Sequence, residues 1–230
     1  MQTDGKHWYS KWWGIILIIV LVFILSFMVA IGFYIFNLVK QINDSEANKL
    51  LSKPSLYQDA AIKKLIESRD NYWLGSAKPK ITIVEFADYN CSLCKNSYSK
   101  IREISIKYKE DVKIIHRDYP ILDYSADLSL AARCVGEQGL FWLMHDKLFQ
   151  NQGNFDIKDL PELANQVGAD IDRYNKCIQT KKYLSDIQKD FSDGNELGIK
   201  GTPTWFINGY KIEGDIPYNI FIDIINQFLN

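Results

Sequence analysis

Two cysteines separated by two residues, Cys91-Ser92-Leu93-Cys94, stand where a β-branched apolar run gives way to a helix-patterned one. The location matters more than the spacing. A cysteine at a helix N-terminus lies against unpaired backbone N–H groups and the positive end of the helix dipole, which favour an anion. That lowers a thiol pKa and supplies a thiolate near neutral pH. The second cysteine, one turn further on, reaches the first to close a small disulfide ring. A thiolate stabilises the reduced form and so makes the disulfide a better oxidant. Each pKa unit is worth ~1.4 kcal/mol, comparable to ~30 mV in a two-electron couple. The chemistry expected is dithiol–disulfide exchange, with Cys91 as the attacked sulfur, Cys94 as its buried partner and no cofactor. Two other readings compete, half of a zinc site and an inert structural disulfide. Zinc needs a second ligand pair. Cys134 and Cys177 are single, and His7, His116 and His145 show no metal-ligand spacing, so no metal is expected.

The elements that position this pair follow from the pattern on either side. Ile81-Thr82-Ile83-Val84-Glu85-Phe86 reads as a strand buried on both faces, ended by Asp88-Tyr89-Asn90. Residues 91–109 are helical in pattern, and Val112-Lys113-Ile114-Ile115 is a second strand, completing a βαβ unit. From about 123 to 197 the periodicity is helical throughout, with a helix start at Asp159-Leu160-Pro161-Glu162 and a stop and restart at Gly168 and Asp170. Thr204-Trp205-Phe206-Ile207, the turn Asn208-Gly209 and Tyr210-Lys211-Ile212 form a hairpin, and residues 216–229 a short amphipathic helix. The order is βαβ, helices, ββα. The two halves make one sheet only if the helical block is an insertion. Glu85 interrupts the apolar strand just before the cysteines. Buried there, it would have a raised pKa and could relay a proton to Cys94; at a strand end it would reach solvent.

The compartment decides what the other cysteines do. Residues 12–39 carry no charge, and Trp8, Tyr9, Trp12 and Trp13 cluster at their start. At ~1.5 Å per residue such a run crosses a ~30 Å hydrocarbon core with some tilt. It is too long for the apolar part of a cleaved signal peptide, whose best cleavage candidate is the weak Ala30-Ile31-Gly32. The expected organisation is a tail over 1–11, a single-pass anchor over 12–39, a stalk and short helix over 40–74, and a catalytic domain over 75–230. Lys6 and Lys11 precede the span while Lys40, Lys49 and Lys53 follow it, so the positive-inside rule leaves orientation undecided. The extracytoplasmic placement of the domain rests on the cysteine chemistry. On an oxidising side, Cys134 and Cys177 are expected as a structural disulfide; two free buried thiols are the alternative. With 27 Lys+Arg against 28 Asp+Glu, nothing draws the chain to nucleic acid.

Three separated stretches carry a resemblance. Residues 72–99, running through Ile81-Thr82-Ile83-Val84-Glu85-Phe86 to the cysteine pair, are similar to the approach to the redox pair in the DsbA-like family of the thioredoxin superfamily. Ala131-Ala132-Arg133-Cys134 and Gly136-Glu137-Gln138-Gly139-Leu140-Phe141-Trp142 resemble its helical insertion, and Gly198-Ile199-Lys200-Gly201-Thr202-Pro203-Thr204 its Gly-Thr-Pro-Thr loop. The likeness runs over about 72–229, with the motifs in order. It implies an α/β thioredoxin-like fold with an inserted helical block, preceded here by one transmembrane helix. It implies that Pro203 follows a cis bond facing the cysteines, with Thr202, Ser92 and Leu93 meeting substrate, and that catalysis does not need Cys134 and Cys177. Together with the anchor read over 12–39, it implies a membrane-anchored thiol:disulfide oxidoreductase acting on exported proteins with thiols, and a membrane oxidase that recycles the pair. The Ser92-Leu93 dipeptide departs from the Pro-His associated with strong oxidation, which keeps a reductase or isomerase in contention. A non-catalytic tethered peptide-binding module is the rival from outside the enzymes.

Overall fold

A computed structural model describes residues 12–68 and 72–229. The tail over 1–11, with Lys6, Trp8, Tyr9 and Lys11, lies outside them. Two units are distinct, one ending at Ala47 and one running from Asn48. The first holds all but the last three residues of helix α1, Trp12–Leu50, whose 39 residues make a rod of ~58 Å. It alone among the described residues is long and apolar enough to cross a membrane. Residues 40–50, expected as stalk, continue this helix. Lys, Gln, Glu, Ala and Leu there are all good helix formers, and the first residue that cannot join the ladder is Pro54.

In the second unit, a 3₁₀ turn (Leu56–Gln58) leads into α2 (Ala60–Glu67), capped by Asp59, whose side chain accepts from the Ala61 and Ile62 N–H groups. Then follow β1 (Trp73–Gly75), β2 (Ile81–Ala87), α3 (Ser92–Lys107) and β3 (Val112–Asp118). Helices α4 (Ser125–Gly136), α5 (Phe141–Asn151), α6 (Leu160–Gln166), α7 (Ile171–Gln179) and α8 (Leu184–Glu196) precede β4 (Thr204–Ile207), β5 (Tyr210–Glu213) and α9 (Tyr218–Leu229). The five strands form one sheet in the order β1-β3-β2-β4-β5, with β2 and β3 parallel and the other pairs antiparallel. The helical block is thus an insertion between two halves of a single sheet. Strand β1 escaped the sequence reading because three residues carry too little pattern to detect.

β2 is central and almost wholly buried, which is why its residues are β-branched and apolar without alternation. Val84 and Phe86 pack with Ile66, Ile115, Tyr119 and Phe206 on one face. The larger core lies with the insertion, where Ala87, Tyr89 and Cys94 meet Leu128, Met144, Leu148 and Phe149. Cys134 of α4 and Cys177 of α7 are joined across this core, their Cα atoms 5.7 Å apart. The β4–β5 hairpin turns on Asn208 (φ 46°) and Gly209 (φ 82°), the paired left-handed residues that match strand twist in a two-residue turn.

Five buried charges tie the sheet to the insertion. Arg117 of β3 donates to Asp190 and Asp193 of α8 at 2.6 Å each, and to the Leu65 and Ile66 carbonyls of α2 at 2.7 and 2.9 Å. Arg133 of α4 spans Asp118 and Asp190, both at 2.5 Å. Every nitrogen of the Arg117 guanidinium is used.

Candidate active site

The turn between β2 and α3 is held by Asp88. Its buried carboxylate accepts from the N–H groups of Asn90, Ile121 and Leu122 at 2.7, 2.8 and 2.9 Å, and from the Ser125 hydroxyl. This places Cys91 at the N-cap of α3 with an extended backbone, φ −77° and ψ 122°. Gln152, at the end of α5, donates to the Tyr89 and Cys91 carbonyls at 2.8 and 3.0 Å, so the insertion braces the turn. Neither Asp88 nor Gln152 was singled out from the sequence. Asp88 was read only as a strand end, and nothing local marks Gln152.

Cys91 and Cys94 are unbridged, Cys91 partly exposed and Cys94 buried. Their environments drive them apart. Hydrogen bonding from Cys94 is the largest influence on Cys91. With the Thr202 side chain and the Cys94 and Leu93 N–H groups, and against partial burial, it pulls the thiol from 9.0 down to about 5. As a thiol, Cys91 donates to the Thr202 carbonyl at 3.2 Å. The buried Thr202 hydroxyl, otherwise without a partner, is the donor left for the thiolate. Burial pushes Cys94 well above the usual thiol range, reinforced by its bond to Cys91 and by the charge of Glu85. Glu85 is itself 3% exposed and raised to about 8, chiefly by burial, then by the charges of Cys91 and Asp215. It does not reach solvent at a strand end.

The bond between Thr202 and Pro203 is cis, and Thr202 lies against Cys91. Ser92 and Leu93 are exposed on the first turn of α3. The sheet also makes a neighbourhood that sequence spacing did not reveal. Glu85 pairs in register with His116, and α5 brings His145 beside them. One potential ligand atom from each of these three buried residues lies within 4.8 Å of the other two. Among the described residues, these three form the cluster that could hold a metal.

Residues 67–227 match the family described as Thioredoxin. The chain belongs to that family. Among proteins of known structure, the thiol-disulfide exchange protein alpha-DsbA2 of Wolbachia pipientis superposes with a TM-score of 0.67. The two are 22% identical, over 80% of this chain and 96% of that one. A periplasmic thioredoxin-like protein of Salmonella enterica serovar Typhimurium gives 0.62 at 22% identity, over 75% and 98%. These likenesses carry the fold: a DsbA-like thioredoxin architecture with an inserted helical block. In sequence, the chain is 32% identical over 149 residues to Na(+)/H(+) antiporter NhaA 3 of Salinispora tropica, 64% of this chain and 22% of that protein. It spans about a fifth of the length of that curated relative.

Proposed function

We propose that the chain is a membrane-anchored thiol:disulfide oxidoreductase that introduces disulfides into exported proteins through Cys91 and Cys94. The observation that carries this reading is the opposed ionisation of the pair. An exposed sulfur held near 5 beside a buried one held high is the arrangement in which the reduced pair is stabilised as a thiolate. A substrate thiolate attacks Cys91 of the bridged pair and Cys94 leaves, taking a proton. Glu85, protonated at neutral pH and electrostatically coupled to Cys94, would give it. A second substrate thiolate then attacks the substrate sulfur of the mixed disulfide and expels Cys91 as the thiolate. The substrate loses two electrons and the cysteine pair gains them. A membrane oxidase would restore the bridge. Thr202, with Ser92 and Leu93, would meet the substrate chain, and Pro203, lacking an N–H, would leave that edge open.

The anchor is α1, whose uncharged first part suffices for a bilayer. The joined Cys134 and Cys177 favour an oxidising, extracytoplasmic side for the domain. Equilibrating the full chain with glutathione buffers tests the direction. A potential well above thioredoxin's ~−270 mV, toward DsbA's ~−120 mV, is the expected result. A value at or below thioredoxin's would make the chain a reductase.

A further inference from the structure

Unpartnered polar atoms are rare inside proteins, and each costs roughly 1–3 kcal/mol. Here four belong to neighbouring residues on one side of the sheet: Glu85 Oε1, Tyr89 OH, His116 Nδ1 and His145 Nε2. The rings of His116 and His145 lie 5.2 Å apart at near right angles, and Tyr89 stands 5.5 and 5.7 Å from them. Phe141, Trp142 and Phe149 close around the group. Glu85, His116 and His145 are all 3% exposed or less. Four groups left unsatisfied together mark a place where a ligand would satisfy them.

The opposite nitrogens of the two histidines identify that ligand. His116 Nε2 meets the Asp118 carboxylate at 3.4 Å, and His145 Nδ1 meets Asp146 at 3.0 Å. A carboxylate on one ring nitrogen fixes the tautomer, raises the basicity of the other nitrogen and is the usual companion of a metal-bound histidine. A buried water would satisfy the same atoms without needing either aspartate. We infer that Glu85, His116 and His145 form a binding site for one divalent transition-metal ion of the zinc class, taken by the three atoms that have no other partner. Two imidazoles and a carboxylate suit such an ion and not the hard, all-oxygen cations. Binding displaces the proton that Glu85 otherwise carries, so the metal-bound chain and the chain that protonates Cys94 are alternative states. Each of the three residues offers one ligand atom within 4.8 Å of the other two. Zinc bonds of ~2.0–2.1 Å in a tetrahedral site draw the side chains inward by on the order of 1 Å.

The test must keep the redox thiols from binding the probe. In the full-length Cys91→Ser/Cys94→Ser chain, in detergent, Co2+ is titrated and its visible bands followed, with Zn2+ competing. The site takes one Co2+ per chain, with bands of a tetrahedral nitrogen/oxygen site. His116→Phe and His145→Phe, which keep the aromatic packing, each abolish it. Asp146→Asn, on a partly exposed side chain, weakens binding by ~10–100-fold while the near-ultraviolet circular dichroism of the metal-free chain is unchanged. No stoichiometric binding at micromolar metal, or undiminished binding in the Asp146 variant, overturns the proposal.

Discussion

Two buried polar groups lie side by side on β3 and are built on opposite terms. Arg117, Asp118, Arg133, Asp190 and Asp193 form a network in which each charge meets an opposite one and the Arg117 nitrogens are all spent. Glu85, Tyr89, His116 and His145 are as deeply buried, yet each keeps an atom with no partner. Ion pairs taken out of water rarely add net stability over apolar residues, but breaking one leaves an uncompensated charge. The first group therefore specifies how the insertion docks on the sheet. The second, next to the cysteine pair, leaves hydrogen-bonding capacity unused, which is tolerated where protons or ligands must be exchanged.

Substitutions on the two sides should separate them, starting with the largest effect. Cys91→Ser removes the exposed sulfur, so exchange with a dithiol peptide should fall below detection while the melting temperature stays put. Arg117→Leu does the reverse. It leaves the buried carboxylates of Asp118, Asp190 and Asp193 to Arg133 and the exposed Lys189, and urea titration of the full chain should report a loss of ~3–5 kcal/mol. A loss below ~1 kcal/mol would show that the network is not what docks the insertion.

Cys134→Ala/Cys177→Ala removes a bridge closing a 43-residue separation, worth about 4 kcal/mol in the chain-entropy model. The variant should melt earlier and retain most of its exchange rate. Equal losses of both would place this pair in catalysis.

Glu85→Gln should stabilise the chain. The Glu85 carboxyl is raised from 4.5 to about 8, so its burial costs nothing below 4.5 and progressively more as pH rises through 8. At pH 7 the difference is about 3 kcal/mol, and the variant should lose that slope between pH 5 and 8. It should also exchange more slowly, since Gln supplies no proton to Cys94. A variant with the wild-type pH slope would mean that the carboxyl is ionised in the folded chain. The smallest effect is a midpoint. Cys91 is depressed from 9.0 to about 5, so its thiolate stabilises the reduced chain in full above 9, and this is lost as pH falls through 5. Alkylation of Cys91 should follow the same midpoint.

The cysteine pair at a strand-to-helix junction, the buried β2 pattern, the Asn208-Gly209 hairpin and the uncharged run of α1 were legible from the chain alone, and with them the thioredoxin-like class. All are local. Helix and strand periods repeat within a few residues, and a turn or a bilayer span declares itself by composition. The continuation of α1 to Leu50 left no mark in the apolar pattern, because good helix formers carry the ladder regardless of their polarity. What tertiary structure alone decided is which distant residues share a face. The parallel register of β2 and β3 sets Glu85 opposite His116, and the packing of α5 brings His145 to both. Strand register and helix docking follow from the summed packing of the whole core, so no spacing between positions 85, 116 and 145 could reveal that they meet.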